Sequence, residues 1–253
     1  MRRFGLLGKS LQHSHSQALF AQKFSQEEIH DASYSLFELS DLQNWEAWSK
    51  AQLHHPEGAL QGLNVTVPYK QSIISHLSCL TPEAEAIGAV NALRPSENGK
   101  WMGHNTDAVG FAKSIRPFLS SSHERALILG NGGAAAAVRY VLESLGIEVV
   151  HVTRNQTHDV RSVRFGDLTE EAVRFFGLIV QATPVGTVPR VEEVLPFPWK
   201  GLEQNHLVID LIYNPTQTLF LQRAKEQGAT ILNGKDMLFN QAIAAWEWWN
   251  EAL

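Results

Sequence analysis

The chain has 253 residues, a net charge of −5 at pH 7 and 44% hydrophobic residues. This size and composition can supply a large buried core, in one domain or two. Because the sequence contains no long basic run, we expect neither nucleic acid nor an anionic membrane as a partner. The single cysteine, Cys79, excludes an internal disulfide, and the histidines lack metal-site spacing, so no metal is predicted.

The apolar segments of the chain are short. The N-terminal one is too short for a signal-peptide core, and none approaches the roughly 20 apolar residues needed to cross a bilayer. We therefore expect a cytoplasmic protein. The sequence leaves open whether it is a monomer or a homodimer.

The N-terminal part of the chain alternates strand-like and helix-like segments, which predicts an α/β fold with mostly parallel strands. Strands are predicted at residues 4–8, 33–40 and 62–69, with helices at residues 16–24 and near 44–52. Ser14 or Ser16 is expected to cap the first helix. Two further short strands, in residues 88–93 and 100–107, are separated by a turn at residues 95–99.

The alternation restarts after a serine-rich linker at residues 120–124, which predicts a second α/β unit. Its predicted strands are residues 125–130, 148–154, 177–183, 206–213 and 229–232, with a helix at residues 218–228. A final helix over residues 236–253 carries three tryptophans. So much aromatic surface indicates that this helix packs back onto the first unit.

A glycine-rich loop follows the predicted strand at residues 125–130. Gly130, Gly132 and Gly133 precede an alanine-rich helix, so a pyrophosphate could approach the loop backbone and the helix N-terminus. Gly133-Ala134 departs from the wider glycine spacing of the usual fingerprint. A tight turn without a ligand is the alternative interpretation. The loop at residues 182–187, which includes Thr183, is also predicted to lie at the ligand-binding edge of the sheet.

The end of the next strand favours NADP over NAD. A site for NAD normally presents an acidic residue there to bind the ribose hydroxyls. Here the strand ends with Thr153, Arg154 and Asn155, and the first carboxylate is Asp159. Arginine can pair with the 2′-phosphate of NADP, although a solvated charge after a strand is the simpler alternative.

Polar residues follow several predicted strands of the first unit. Because the carboxyl ends of parallel strands lie at one edge of a sheet, these side chains could converge on a small polyol that carries an oxidisable oxygen. Taken singly, each also fits a helix cap, a turn residue or a solvated charge. The residues are Ser14, Ser16, Asn64, Thr66, Lys70, Asn91, Asn105 and Asp107.

The order and spacing of several motifs resemble those of the shikimate dehydrogenase family over nearly the whole chain. The motifs are "HSHS", "GLNVTVPYK", "IGAVNAL", "GHNTDAVG", "GNGGAAAA", "DLIYNPTQTLFL" and "NGKDMLFNQAIAAWEWW". The resemblance implies a substrate domain of residues 1–106 joined by helix 237–253, an NADP-binding Rossmann domain of residues 107–236, and a cleft between them. It also implies reversible NADPH-dependent reduction of 3-dehydroshikimate to shikimate, on the route to chorismate and the aromatic amino acids.

The resemblance assigns roles to individual residues. It implies Lys70 and Asp107 as the catalytic acid-base pair. The implied substrate-binding residues are Ser14, Ser16, Asn64, Thr66, Asn91, Tyr213 and Gln241. The implied cofactor-binding residues are Gly130, Asn131, Gly132, Gly133, Ala134, Thr153, Arg154, Asn155, Leu211, Gly234 and Met237, beside Thr183 of the loop described above.

Three other functions fit part of the sequence. One is a quinate/shikimate dehydrogenase that uses NAD, which Arg154 disfavours. Another is a sensor that binds NADP or shikimate without redox chemistry, which the presence of both Lys70 and Asp107 disfavours. Methylene-tetrahydrofolate dehydrogenase shares the two-domain plan, but the Asn-Thr-Asp and Tyr-x-Pro-x-x-Thr segments do not suit it.

Overall fold

A computed structural model of the chain describes residues 1–96, 98–154 and 161–251. The chain forms two compact units. One contains Met1–Val109 and Gln241–Leu253, and the other contains Gly110–Asn240. Each unit is built on a sheet flanked by helices, so the predicted α/β class is confirmed.

The first unit holds a mixed sheet with the strand order β2-β1-β3-β5-β6-β4. Its β5 runs antiparallel to both neighbours, and Ala92 at its start pairs with Asn64 and His104 at the ends of theirs. The residue before β5 therefore lies at the edge where its neighbours end. The elements are β1 (Arg2–Gly8), α1 (Ser16–Gln26), β2 (Ala32–Glu38), α2 (Trp45–Leu53), β3 (Leu60–Val65), α3 (Tyr69–Ser72), β4 (Cys79–Leu80), α4 (Pro82–Ile87), β5 (Ala92–Pro95), β6 (Trp101–His104) and the start of α5 (Asp107–Ile115).

The second unit holds a parallel sheet with the order β12-β11-β10-β7-β8-β9. The chain reverses its direction of winding between β7 and β10, and ligands of such sheets bind in the crevice at that reversal. The elements are β7 (Arg125–Leu129), α6 (Gly133–Ser144), β8 (Glu148–Thr153), β9 (Ser162–Arg164), α7 (Glu170–Phe175), β10 (Leu178–Gln181), β11 (Leu207–Asp210), α8 (Leu219–Glu226), β12 (Thr230–Leu232) and α9 (Lys235–Asn250), whose last residues belong to the first unit.

Several local predictions are wrong. The strand predicted over residues 62–69 ends at Val65, because residues 66–69 form a turn in which the N–H of Tyr69 bonds the Thr66 carbonyl. The strands predicted over residues 100–107 and 206–213 end at His104 and Asp210, and the strand predicted over residues 88–93 begins only at Ala92. Neither predicted serine caps α1: its cap position is His15, and Ser14 Oγ accepts the N–H of Ser16 at 3.3 Å.

The C-terminal half of α9 packs on the sheet of the first unit. The Trp249 indole stacks on Phe4 at 5.1 Å between ring centroids and donates its N–H to the Leu93 carbonyl at 3.0 Å. Gly62 lies directly beneath this ring. The tryptophan thus covers part of β1, β3 and β5 on the face that α1 also covers through Phe20.

Among the described residues, no helix combines the length and apolar character required to span a bilayer.

The contact between Gly62 and Trp249 generates the first prediction. A methyl group at position 62 would overlap the indole, so Gly62→Ala should lower the free energy of unfolding by about 1–3 kcal/mol, as overpacking does elsewhere. Urea unfolding measures this change. Gly166→Ala is the control, because an added methyl there meets open space and should leave stability nearly unchanged. Equal midpoints for the two variants would contradict the packing described here.

Candidate functional site

The first unit brings Lys70 and Asp107 together at the carboxyl edge of its sheet. Lys70 lies in the short helix α3, and Asp107 is the first residue of α5. The Lys70 Nζ atom donates to Asp107 Oδ2 at 2.5 Å, and the two side chains are 15% and 6% exposed. An ion pair so shielded from water is held in a fixed geometry, which suits proton transfer at a defined atom.

Asn91 fixes the second oxygen of this carboxylate. Its side-chain N–H group donates to Asp107 Oδ1 at 2.9 Å and reaches Gln241 Oε1 at 3.2 Å. Its side-chain oxygen accepts the backbone N–H of Thr106 at 2.7 Å. The buried amide therefore sets the rotation of the Asp107 carboxylate and ties the start of β5 to α5 and α9.

The segment before α5 is held by buried polar side chains as well. Asn105 donates to the Ala89 carbonyl at 2.8 Å and accepts the N–H of Ala108 at 3.1 Å. Thr106 accepts from Asn91 at 3.0 Å. Asn105 and Thr106 thus explain the Asn-Thr-Asp motif, because they anchor the turn that delivers Asp107.

A second set of polar contacts connects β2, β3 and the residue before β5. The Tyr34 hydroxyl donates to Asn64 Oδ1 at 2.8 Å, and Asn64 donates to the Asn91 carbonyl at 3.0 Å. Burial raises the pKa of Tyr34 well above its ordinary value, so the phenol stays protonated.

Most of the predicted substrate-binding residues lie in this unit. Asn64, Asn91 and Gln241 are joined to one another by the bonds described above, while Ser14 Oγ accepts the N–H of Ser16. Thr66 is half-buried and follows β3 directly. Tyr213 belongs to the second unit, where it follows β11.

In the second unit, Gly130 ends β7 at the reversal point of the sheet. Its φ of +116° is one that glycine adopts readily, and a side chain there would also press on Thr183. Gly132 occupies the cap position of α6 without a side-chain cap, and a Cβ added to it would meet open space. The first turn of α6 has no acidic residue. This exposed N-terminus, which includes Asn131, Gly133 and Ala134, fits the pyrophosphate of a dinucleotide.

The neighbouring strand end carries the residues that favour NADP. Thr153 is buried at the end of β8, and Arg154 follows it, exposed to solvent. Because β8 pairs with β7, Arg154 extends from the same edge of the sheet as the glycine loop. An exposed guanidinium there fits a 2′-phosphate. Asn155 lies outside the described residues.

The remaining predicted cofactor residues lie along the same edge. Leu129, Gln181 and Asp210 are paired across the ends of β7, β10 and β11, so the residues that follow these three strands are neighbours. Gly234 packs so closely on the Leu211 backbone that a Cβ would collide with it, and its N–H bonds the Ile212 carbonyl. Met237 is buried in the first turn of α9.

Asp210 supports the loop that carries Leu211 and Tyr213. Its Oδ1 accepts the N–H of Ile212 at 3.0 Å, and its Oδ2 accepts the hydroxyl of Thr218 at 2.6 Å. Thr218 in turn caps α8. Burial raises the pKa of Asp210 to about 7 despite these two bonds.

Comparisons with known proteins point to one family. Residues 6–93 match the family model described as the shikimate dehydrogenase substrate binding domain. The chain is 34% identical to a shikimate dehydrogenase (NADP(+)) of Desulforamulus reducens, over 97% of this chain and 88% of that protein. It is 35% identical to a protein of the same name from Shouchella clausii, over 98% and 92% respectively.

This chain belongs to the shikimate dehydrogenase family. A crystal structure of shikimate 5-dehydrogenase from Thermus thermophilus, in complex with NADP(H) and shikimate, superposes with a TM-score of 0.86 at 31% identity. The superposition covers all of this chain and 95% of that one. The resemblance found in the sequence motifs is therefore confirmed.

Three residues near the candidate site were not predicted from the sequence: Tyr34, Thr106 and Asp210. Tyr34 and Thr106 contact predicted site residues, and Asp210 supports two of them. A tyrosine within a predicted interior strand was the available signal for Tyr34, because a buried hydroxyl needs a partner. Asp210 and Thr218 both belong to the motif "DLIYNPTQTLFL". The hydrogen bond between them joins the end of a strand to the start of a helix, and no sequence pattern indicates it.

The raised pKa of Asp210 generates the second prediction. Between about pH 4 and pH 7 the folded protein keeps a proton on Asp210 that the unfolded chain has released. The contribution of this residue to stability is thus complete below pH 4 and is lost as the pH rises to 7, by at most about 1.4 kcal/mol per pH unit.

Thermal unfolding between pH 5 and pH 8 measures this contribution. Asp210→Asn should remove it, so the melting temperature of the variant should fall less with pH than that of the parent. Asp31→Asn is the control, because pairing with Arg2 lowers the pKa of Asp31 and places its titration below this window. A pH profile of Asp210→Asn parallel to that of the parent would contradict a protonated Asp210.

Proposed function

We propose that this chain catalyses the reversible NADPH-dependent reduction of 3-dehydroshikimate to shikimate, with Lys70 and Asp107 as its acid-base pair. The observation that carries the proposal is the shielded Lys70–Asp107 contact of 2.5 Å, with the carboxylate held by Asn91. Such a pair suits a reaction that moves one proton at a carbonyl or hydroxyl oxygen.

The class of enzyme and its cofactor rest on the family. Membership confirms the predicted oxidoreductase and the predicted use of NADP, because the full-length relatives are named shikimate dehydrogenase (NADP(+)). The same names favour this function over the NAD-dependent quinate/shikimate alternative and over a redox-inactive sensor.

The proposed chemistry of this chain centres on the Lys70 ammonium. NADPH, when bound, supplies the hydride. As the carbonyl oxygen of the substrate gains negative charge, Lys70 donates a proton to it, and in the opposite direction neutral Lys70 accepts the hydroxyl proton. Asp107 orients the lysine and stabilises its charged form, while Asn91 prevents the carboxylate from rotating away.

The proposed substrate contacts extend from this pair. Ser14, Ser16, Asn64, Thr66, Asn91, Tyr213 and Gln241 offer hydroxyl and amide groups to the hydroxyls and carboxylate of the substrate. We assign the carboxylate to Ser14 and Ser16, because they lie at the start of α1, where the positive end of the helix dipole favours an anion. The assignment of Tyr213 rests on the family motif alone.

The proposed cofactor contacts lie along the carboxyl edge of the second sheet. The N-terminus of α6, with residues 130–134, would bind the pyrophosphate, and Arg154 would bind the 2′-phosphate, with Thr153 and Asn155 beside it. Thr183, Leu211, Gly234 and Met237 would bind the nicotinamide half. The proposed substrate domain comprises residues 1–106 and 237–253, and the proposed NADP domain comprises residues 107–236. We also propose that the protein is cytoplasmic and that it is a monomer or a homodimer.

Replacing Lys70 tests the catalytic role. Lys70→Ala should lower kcat by about 10²–10⁴-fold, the usual contribution of a proton-transfer group, while calorimetry still detects binding of shikimate and NADP. The assay follows NADPH absorbance with shikimate and quinate against both cofactors. Lys50→Ala is the control, because Lys50 is an exposed residue of α2. Near-parental turnover by Lys70→Ala would eliminate Lys70 as the catalyst, and absence of turnover in the parent would favour a binding protein.

Replacing Arg154 tests the choice of cofactor. Arg154→Gln removes the positive charge, so the KM for NADP should rise by about tenfold or more while the KM for NAD changes little. Arg116→Gln removes an exposed arginine elsewhere in the unit and should change neither value. If Arg154→Gln raised both KM values equally, a specific contact with the 2′-phosphate would be excluded.

A further inference from the structure

His151 lies in β8, beside the strand that leads into the glycine loop. It pairs with Ile128 of β7 on one side and with Ser162 of β9 on the other, so its backbone is held from both sides. The residue is buried. A buried imidazole requires a hydrogen-bond partner, and the one it has here is the loop itself.

The ring of His151 bonds the first glycine of this loop. Its Nδ1 atom lies 2.8 Å from the Gly130 carbonyl oxygen. Because a carbonyl can only accept, Nδ1 carries the proton and donates it. The N–H of Gly130 bonds the Val152 carbonyl at 2.9 Å. Both polar backbone groups of Gly130 are thus bonded to β8, one by its backbone and the other by the His151 side chain.

The backbone of Gly130 needs this support more than that of an ordinary residue. β7 ends at Leu129, so the Gly130 carbonyl lies beyond the paired strand. The φ of +116° belongs to a region that glycine enters and leaves easily, so the peptide group after Gly130 could rotate at little cost. The hydrogen bond from His151 stabilises one of these orientations.

The direction of this carbonyl also sets the direction of the Asn131 N–H group. The two belong to one planar trans peptide, in which they point in opposite directions. With the carbonyl turned toward His151, the N–H is turned away from it. Asn131 precedes Gly132, the cap residue of α6. Its N–H therefore lies next to the first N–H groups of that helix, which have no partner within the helix.

We propose that His151 is a positioning residue for the pyrophosphate of the dinucleotide: it holds the peptide between Gly130 and Asn131 in the orientation that binds this anion. The inference rests on the proposed function, in which residues 130–134 bind the pyrophosphate. The role of the imidazole is indirect, because its Nδ1 proton is used on the loop carbonyl. A loop already held in its binding orientation gains affinity, since no ordering is required when the anion binds.

Replacing His151 with leucine or asparagine tests this role. The two side chains have nearly the same shape, and only asparagine carries an N–H group at the place of Nδ1. We expect His151→Leu to raise the Kd for NADP about tenfold, the usual effect of losing one buried hydrogen bond, and His151→Asn to keep most of the affinity. Calorimetry measures both values, and the KM for shikimate should stay unchanged in both variants.

Fragments of the cofactor locate the effect. Because 2′-phospho-ADP-ribose contains the pyrophosphate and 2′-AMP does not, His151→Leu should weaken binding of the first about tenfold and leave binding of the second unchanged. Arg154→Gln should weaken binding of both, because both carry the 2′-phosphate. Equal losses for the two fragments in His151→Leu would overturn the proposal.

His206→Leu is the matched control for stability. His206 is a buried histidine of the same unit, and its Nε2 atom donates to the Val173 carbonyl at 3.1 Å. It precedes β11, at the opposite edge of the sheet from the glycine loop. The variant loses a comparable bond, so it should lower the melting temperature without changing the Kd for NADP. A tenfold higher Kd in this control as well would assign the effect to general destabilisation and overturn the proposal.

A spectroscopic measurement tests the bond in the unaltered protein. Long-range ¹H–¹⁵N NMR, with the ring signals assigned through His151→Asn, should show a proton on Nδ1. A ring protonated on Nε2 alone would overturn the proposal, as would an unchanged Kd in His151→Leu when the parent binds NADP. Failure of the parent itself to bind NADP would overturn the proposed cofactor site together with the inference, so the two failures are distinguished.

Discussion

The hydrogen bonds of the Asn91 side chain are the interactions on which the candidate site of the first unit depends. Asn91 stands at the start of β5, the strand that runs against its neighbours, and so lies at the edge where β3 and β6 end. From there one buried amide reaches Asp107, Thr106 and Gln241. A carboxylate beside a lysine would otherwise be free to rotate, and a rotating carboxylate cannot hold the lysine at one point.

The ion pair that Asn91 organises carries a cost. Removing two charges from water is unfavourable, and the attraction between them offsets this only when the remaining hydrogen-bonding positions are filled. Here Asp107 accepts from Lys70 with one oxygen and from Asn91 with the other. Loss of one partner from such a pair typically costs about 3–5 kcal/mol. The arrangement therefore fits the proposed proton transfer better than a stabilising role.

In the second unit, the proposed cofactor site requires the backbone to come close to a bulky anion. Gly130 adopts a positive φ, Gly132 leaves open space at the start of α6, and Gly234 packs against the Leu211 backbone. Side chains are removed where the backbone itself must make the contact. Asp210 stabilises the loop between two of these points through two hydrogen bonds, and burial raises its pKa to about 7.

The sequence alone determined the α/β class, the glycine loop and its helix, the NADP preference, the family and the residues proposed for the site. These follow from local patterns: strand alternation, a glycine run between strand and helix, and motifs whose members lie close together in the chain. Sequence alone placed the end of β3 wrongly, because the β-branched residues there resemble a continuing strand although residues 66–69 form a turn closed by the bond from Tyr69 to Thr66. Only the tertiary structure showed that Tyr34 bonds Asn64, that Asn91 holds Asp107, and that Thr218 holds Asp210. Each of these contacts depends on which strands are neighbours in a sheet, and the pairing of strands is set by packing of the whole unit and not by any short stretch of residues.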